Sequence, residues 1–142
     1  MYERILLPTD GSEHTKRATE HAIDIAKTRG ATLHVFSVVD DRAFLVLDED
    51  KVDEVRSELE ENALDAIAEA VEVADEEGIE TASDVAVGNP ASCIVDYAAE
   101  NDIDLVVMGT SGDEYEENVV GSVSKRVVDT SPVPVLTVGP DA

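Results

Sequence analysis

The chain lacks much of what common sites are built from. Its 142 residues include one cysteine, Cys93, so no internal disulfide and no cysteine metal cluster can form. Basic residues are scarce: ten Lys and Arg stand against 33 Asp and Glu, for a formal charge of -23. A phosphate backbone or an anionic membrane surface would be repelled at long range, which excludes a general nucleic-acid binder. No run of about 18 apolar residues is present, so no membrane span is expected. The opening MYERILLPTD has neither the basic segment nor the long apolar stretch of a signal peptide, and a cytoplasmic address is expected. G-x-x-x-x-G-K-[ST], a G-x-G-x-x-G after the first strand, and G-x-S-x-G are all missing, which removes P-loop, dinucleotide-fingerprint and nucleophile-elbow chemistry. His14 and His21 are seven apart without a third ligand, a poor zinc site. His34 reads as a structural strand residue, Cys93 as a buried thiol, and Tyr97 as a half-buried packing residue.

Hydrophobic residues make up 43% of the chain, enough for one packed domain over residues 1–142. No repeat, heptad or linker divides it. The acids concentrate in residues 40–80, which hold 17 acids and 3 bases, a net of -14. Such self-repulsion destabilises a compact state at moderate salt. At molar salt the screening length falls to about 3 Å and the cost shrinks. The composition therefore predicts a very salty cytoplasm, such as that of a halophilic archaeon.

Apolar spacing predicts alternating strands and helices. Residues 4–8 form a short apolar run suited to a central, doubly covered strand. Thr9-Asp10-Gly11-Ser12 reads as a turn in which Ser12 or Asp10 caps a helix with its apolar face at Ala18, Ala22, Ile25 and Ala26. Gly30 stops that helix. A second strand covers 33–39, and residues 40–50 form a connection able to hold a short helical turn. A long amphipathic helix follows, marked by Val52, Val55, Leu59, Ala63, Ala66, Ile67 and Ala70 and ended by Gly78. Further strands are predicted over 79–87, 103–108 and 133–138. Asn89 and Pro90 start the helix between the first two of these, buried through Ile94, Val95, Ala98 and Ala99. A last helix after Gly121-Ser122 buries Val123, Val127 and Val128. With right-handed crossovers, this order makes a doubly wound α/β fold, a parallel sheet between two helical layers. If the strand from Val133 to Val138 lies at an edge, a second copy of the chain would cover it, which predicts a homodimer.

In such a sheet, ligands bind beyond the carboxyl ends of the strands. There lie Pro8-Thr9-Asp10-Gly11-Ser12, Val38-Val39 and Gly109-Thr110-Ser111-Gly112, with Gly121-Ser122 able to fold back to them. Glycines let backbone amides approach a phosphate, and the helix start offers free amides and a positive dipole end. Asp10 could accept from a ribose or hold a metal, and Val38 or Val39 could lie against a base. Equally, Asp10 and Ser122 could serve only as helix caps.

Taken in order, Ile5-Leu6-Leu7-Pro8-Thr9-Asp10-Gly11-Ser12, Val87-Gly88-Asn89-Pro90, Val106-Val107-Met108-Gly109-Thr110-Ser111-Gly112, and Gly121-Ser122-Val123 with Pro132-Val133-Pro134-Val135-Leu136 resemble the universal stress protein family across essentially the full chain. The resemblance implies a five-stranded parallel sheet of order 3-2-1-4-5, Rossmann-like and close to the adenine nucleotide alpha hydrolase folds, dimerising through the last strand. It also implies two classes, one that binds ATP and one that does not. By the pattern G-x2-G-x9-G-[ST] of the ATP class, Gly109, Gly112, Gly121 and Ser122 would contact phosphates, with Val123 close by. Asp10 and Pro8 would lie near the ribose and Val38 near the adenine. Thr9, Val39, Met108 and Ser124 complete the expected site. The spacer between Gly112 and Gly121 is eight residues, one fewer than in that pattern. It opens with Asp113-Glu114-Tyr115-Glu116-Glu117. Four carboxylates beside a triphosphate cost affinity unless they point outward or a cation intervenes.

The expectation is therefore a stress-response regulator that binds ATP or AMP as a switch, with slow or no hydrolysis. Mg²⁺ would bridge phosphate and Asp10. No residue is placed as a general base. The alternative is a nucleotide-free dimeric interaction module, in which the glycines only shape turns.

Overall fold

The structure, a computed structural model, describes residues 1–110 and 122–139. Gly112, Gly121 and the acidic stretch between them lie outside these residues. The elements are β1 (Arg4–Pro8), α1 (Glu13–Arg29), β2 (Thr32–Asp40), a 3-10 turn (Asp41–Phe44), α2 (Glu49–Glu76), β3 (Thr81–Gly88), α3 (Pro90–Glu100), β4 (Leu105–Gly109), α4 (Ser122–Thr130) and β5 (Val135–Val138). The strands form one sheet in the order β3-β2-β1-β4-β5. All pairings are parallel, with Leu6 opposite His34 on one side and Val106 on the other. The order reverses between β1 and β4, the point beyond whose carboxyl ends open α/β sheets bind ligands.

Strand alternation divides the core. Ile5, Leu7, Leu33, Val35 and Val107 pack with α1 and α2. Leu6, Phe36, Val106 and Met108 pack with α3 and α4. The central strand β1 is apolar on both faces because both are covered, as its continuous run predicts.

Several boundaries move for identifiable reasons. Ile103 is not in β4: its N–H closes α3 by donating to the Ala98 carbonyl at 3.1 Å. Asp104, the acid that interrupts this apolar run, accepts from the backbone N–H of Glu3 at 2.8 Å and of Arg4 at 3.0 Å, pinning the start of the chain. Ile79 likewise closes α2, its N–H donating to the Ala74 carbonyl at 3.0 Å, so β3 starts at Thr81. Val133 sits in a turn made by the Ser131 hydroxyl, and β5 is shorter than the expected 133–138.

Helix faces also depart in part from expectation. In α1, Ile23 and Thr15 are buried while Ile25 is only half-buried. Ala99 of α3 is exposed, and the buried face is Ala91, Ile94 and Ala98. The helix starts as expected, with Asn89 Oδ1 accepting from the Ser92 N–H at 3.1 Å and Pro90 in the first turn. Cys93 is half-buried rather than fully buried, and burial pushes its thiol pKa up, with Asp96 adding to the shift. Val128 of α4 is exposed, and Ser124 takes the buried place beside Val127. In α2 the buried residues are Ala63, Ala66, Ile67, Ala70 and Ala74, so Val52, Val55 and Leu59 stay half-buried.

Candidate functional site

The first turn leaves β1 under tight control. The Thr9 N–H donates to the Phe36 carbonyl at 2.9 Å, tying the turn to β2. The Thr9 hydroxyl accepts from the Gly11 N–H and meets the Thr15 hydroxyl, both at 3.2 Å. Gly11 has φ +77, a left-handed conformation that side chains resist, and a Cβ there would meet the Ala66 Cβ at 3.1 Å. Asp10 is exposed, and its Oδ1 accepts from the Ser12 N–H at 2.9 Å. Asp10 therefore shapes the turn through one oxygen while its carboxylate reaches solvent at the crevice. Ser12 stands at the N-cap position of α1 without capping it. Its Oγ is buried and has no hydrogen-bond partner among the described residues.

On the other side of the crevice, β4 ends at Gly109. A Cβ at Gly109 would lie 2.7 Å from the His14 carbonyl oxygen. The glycine is thus required by the approach of α1 to β4, a packing demand that sequence spacing does not reveal. The next residue, Thr110, accepts through its carbonyl from the Ser124 hydroxyl at 3.3 Å. Ser124 is almost fully buried, so this contact fastens the first turn of α4 beside the end of β4. Expected as a ligand contact, Ser124 holds together the two segments a phosphate would need.

Four of the expected residues face one helical layer. Met108 belongs to the core under α3 and α4, and Val38 and Val123 pack against it. Alternation puts Pro8 on the same face as Leu6. Val39 is buried and points to the opposite face by the same alternation. Thr9 is buried and commits its hydroxyl within the turn, while Ser122 is exposed at the start of α4. Gly112 and Gly121 fall outside the described residues. Lys125 and Arg126, not singled out from the sequence, put exposed positive charge on α4. The signal was available, since these are two of only ten basic residues.

The residues fit a phosphate-bearing ligand in kind. The start of α4 is anchored next to β4 by the Ser124–Thr110 hydrogen bond, and Pro8, Val38 and Met108 lie near the carboxyl ends of β1, β2 and β4 on the α3/α4 face. Among the described residues no group of three potential metal ligands occurs, so Asp10 would contribute a single oxygen donor to any bridging cation. No helix of the described residues is long and apolar enough to cross a membrane.

Residues 1–139 match the universal stress protein family. Universal stress protein MJ0531 of Methanocaldococcus jannaschii is 37% identical over 140 residues, covering 97% of this chain and 82% of that protein. The solved structure of hypothetical protein MJ0577 superposes with a TM-score of 0.89 at 28% identity, covering 100% of this chain and 99% of that one. A universal stress protein solved in complex with cAMP superposes with a TM-score of 0.73 at 29% identity, covering 96% of this chain and 97% of that one. With its five-stranded parallel sheet of order 3-2-1-4-5 and a family match over nearly every residue, this chain belongs to the universal stress protein family.

Proposed function

We propose that the protein is a cytoplasmic stress-response regulator that binds an adenine nucleotide, ATP or AMP, at the carboxyl ends of β1 and β4. It pairs as a homodimer through β5 and works in high salt. The observation that carries the nucleotide reading is the Ser124–Thr110 hydrogen bond, which joins the start of α4 to the end of β4. A relative of the same fold was solved with cAMP, and this supports the ligand class. In this reading the amides and hydroxyl at Ser122 meet phosphate, with Gly109, Gly112, Gly121 and Val123 around it. Asp10 receives the ribose and takes part in holding Mg²⁺. Pro8 borders the sugar and Val38 the base, while Thr9, Val39, Met108 and Ser124 support them from behind. The exposed Asp10 carboxylate is engaged in the turn and in binding, so the nucleotide acts as a switch with slow or no hydrolysis.

Calorimetry with ATP, AMP and cAMP, with and without Mg²⁺ in molar KCl, tests this reading. Saturable binding is expected, weakened about tenfold or more by Ser122→Ala and by Asp10→Ala, the loss of one charge-assisted hydrogen bond. Gly109 substitutions do not discriminate, because any side chain there strikes the His14 carbonyl. Absence of heat with every adenine nucleotide would overturn the reading and leave the interaction module.

A further inference from the structure

A pocket of about 210 Å³ opens between α1 and α2. It lies on the α1/α2 side of the sheet, away from Val38 and Met108 on the α3/α4 side. Ala66, Ala70 and Val73 of α2 line it with apolar surface. Facing them, the first turn and α1 contribute four hydroxyl residues, Thr9, Ser12, Thr15 and Thr19. Three of the four have spent their protons. The Thr15 hydroxyl donates to the Ser12 carbonyl and the Thr19 hydroxyl to the Thr15 carbonyl, both at 2.9 Å. The Thr9 and Thr15 hydroxyls are 3.2 Å apart, and since the single Thr15 proton goes to the Ser12 carbonyl, Thr9 is the donor of that pair. The threonines therefore offer only oxygen lone pairs to anything in the pocket. Ser12 differs. The residue is 7% exposed, and its Oγ is buried without a hydrogen-bond partner among the described residues. That hydroxyl keeps one proton and two lone pairs. A buried hydroxyl left unpaired is costly, and at a pocket wall a ligand can supply the partner.

The charges around the pocket select against ionic ligands of either sign. Lys16, Glu20 and Glu69 also line it, and all three are exposed. The Lys16 ammonium is held by Glu13 at 2.9 Å. A carboxylate would meet two acids and three threonine oxygens with no proton to give. An ammonium would meet the positive end of the α1 dipole at Ser12. An uncharged ligand with a hydroxyl meets neither obstacle. We propose that this pocket binds a small neutral alcohol. Its carbon chain lies against Ala66, Ala70 and Val73, and its hydroxyl exchanges hydrogen bonds with Ser12 and the threonine oxygens. The pocket is larger than an engineered apolar cavity of about 150 Å³ that takes up benzene, so a four-carbon alcohol fits. Apolar burial and neutral hydrogen bonds hold the ligand, and molar salt screens neither. The inference does not rest on nucleotide binding.

The probe is butan-1-ol, titrated into the full chain without nucleotide at low and at molar KCl and read by backbone amide NMR shifts. Saturable shifts are expected at Ser12, Thr15, Thr19, Ala66 and Ala70, and the affinity at molar KCl should not fall below that at low salt. Ser12→Ala and Thr19→Val should each bind at least about fivefold more weakly. Ser12→Ala removes an oxygen that makes no hydrogen bond in the fold, so the chain folds without it. Thr130→Val, which removes a hydroxyl from α4 instead, should bind as the parent does. Diethyl ether, which has no proton to donate, and the charged analogues butylammonium and butyrate should each bind at least about fivefold more weakly than the alcohol. Shifts that do not saturate or that scatter over the chain would overturn the inference. So would parental affinity in both Ser12→Ala and Thr19→Val, an ether or charged analogue that binds as tightly as the alcohol, or loss of binding in molar KCl.

Discussion

His34 shows how one residue acquires a role through its strand. Alternation in β2 sends Leu33 and Val35 toward α1 and α2 and turns His34 and Phe36 toward α3. There His34 Nδ1 lies 2.9 Å from the Tyr97 hydroxyl, and the Tyr97 ring stacks on Phe36 with centroids 4.5 Å apart. Burial lowers the His34 pKa below its ordinary 6.5, with the Arg4 charge adding to the effect. Burial first, then the Asp84 charge, raises that of Tyr97. The folded chain therefore resists protonating His34 while the unfolded chain accepts the proton near pH 6.5. The stabilisation is fully present above that pH and is lost as pH falls through the lower folded value. Denaturant midpoints in molar KCl should fall between pH 7 and pH 5, and less steeply in His34→Gln, whose amide keeps a hydrogen bond to Tyr97. Equal slopes in the two proteins would remove His34 from the acid response. The sequence shows His34 in a strand, but neither Tyr97 nor the face it meets is legible without the register between β2 and its neighbours.

At the scale of elements, β5 is an edge strand with one buried residue, Val138. Among the described residues it pairs only with β4, and Leu136 is 38% exposed. An edge strand with bare apolar side chains invites a further strand, which underlies the proposed homodimer. Sedimentation in molar KCl should give a dimer for the parent and a monomer for Leu136→Lys, since a buried unpaired lysine at a strand junction is costly. A parent that sediments as a monomer would overturn the assignment. The helix starts and stops were readable as chemistry: Asn89-Pro90 opens α3, and Gly30 and Gly78 follow α1 and α2. The buried faces were less so. In α4, Ser124 is buried with its hydroxyl on the Thr110 carbonyl, while Val128, one turn later, is exposed.

For the whole molecule, charge dominates. The formal charge of -23 is concentrated in residues 40–80, which carry a net of -14, and the described ion pairs, such as Lys27–Glu77 and Arg56–Glu60, are solvent-exposed and contribute little. Repulsion among the remaining acids opposes the compact state until salt screens it. The thermal midpoint should rise steeply between low and molar KCl. A midpoint independent of KCl would overturn the proposal of a high-salt environment.

Amino-acid order alone determined the alternation of strands and helices, the doubly covered centre of the sheet and the acidic surface. These follow from local spacing and from the sum of charges, which need no partner across the fold. Tertiary structure decided that Gly109 is glycine because of the His14 carbonyl, that Ser124 braces Thr110, and that the first part of the α2 stripe stays half-buried. Each depends on which distant segment arrives at the same point in space, and that is set by the packing of α1, α2 and α4 on the sheet rather than by the spacing of residues along the chain.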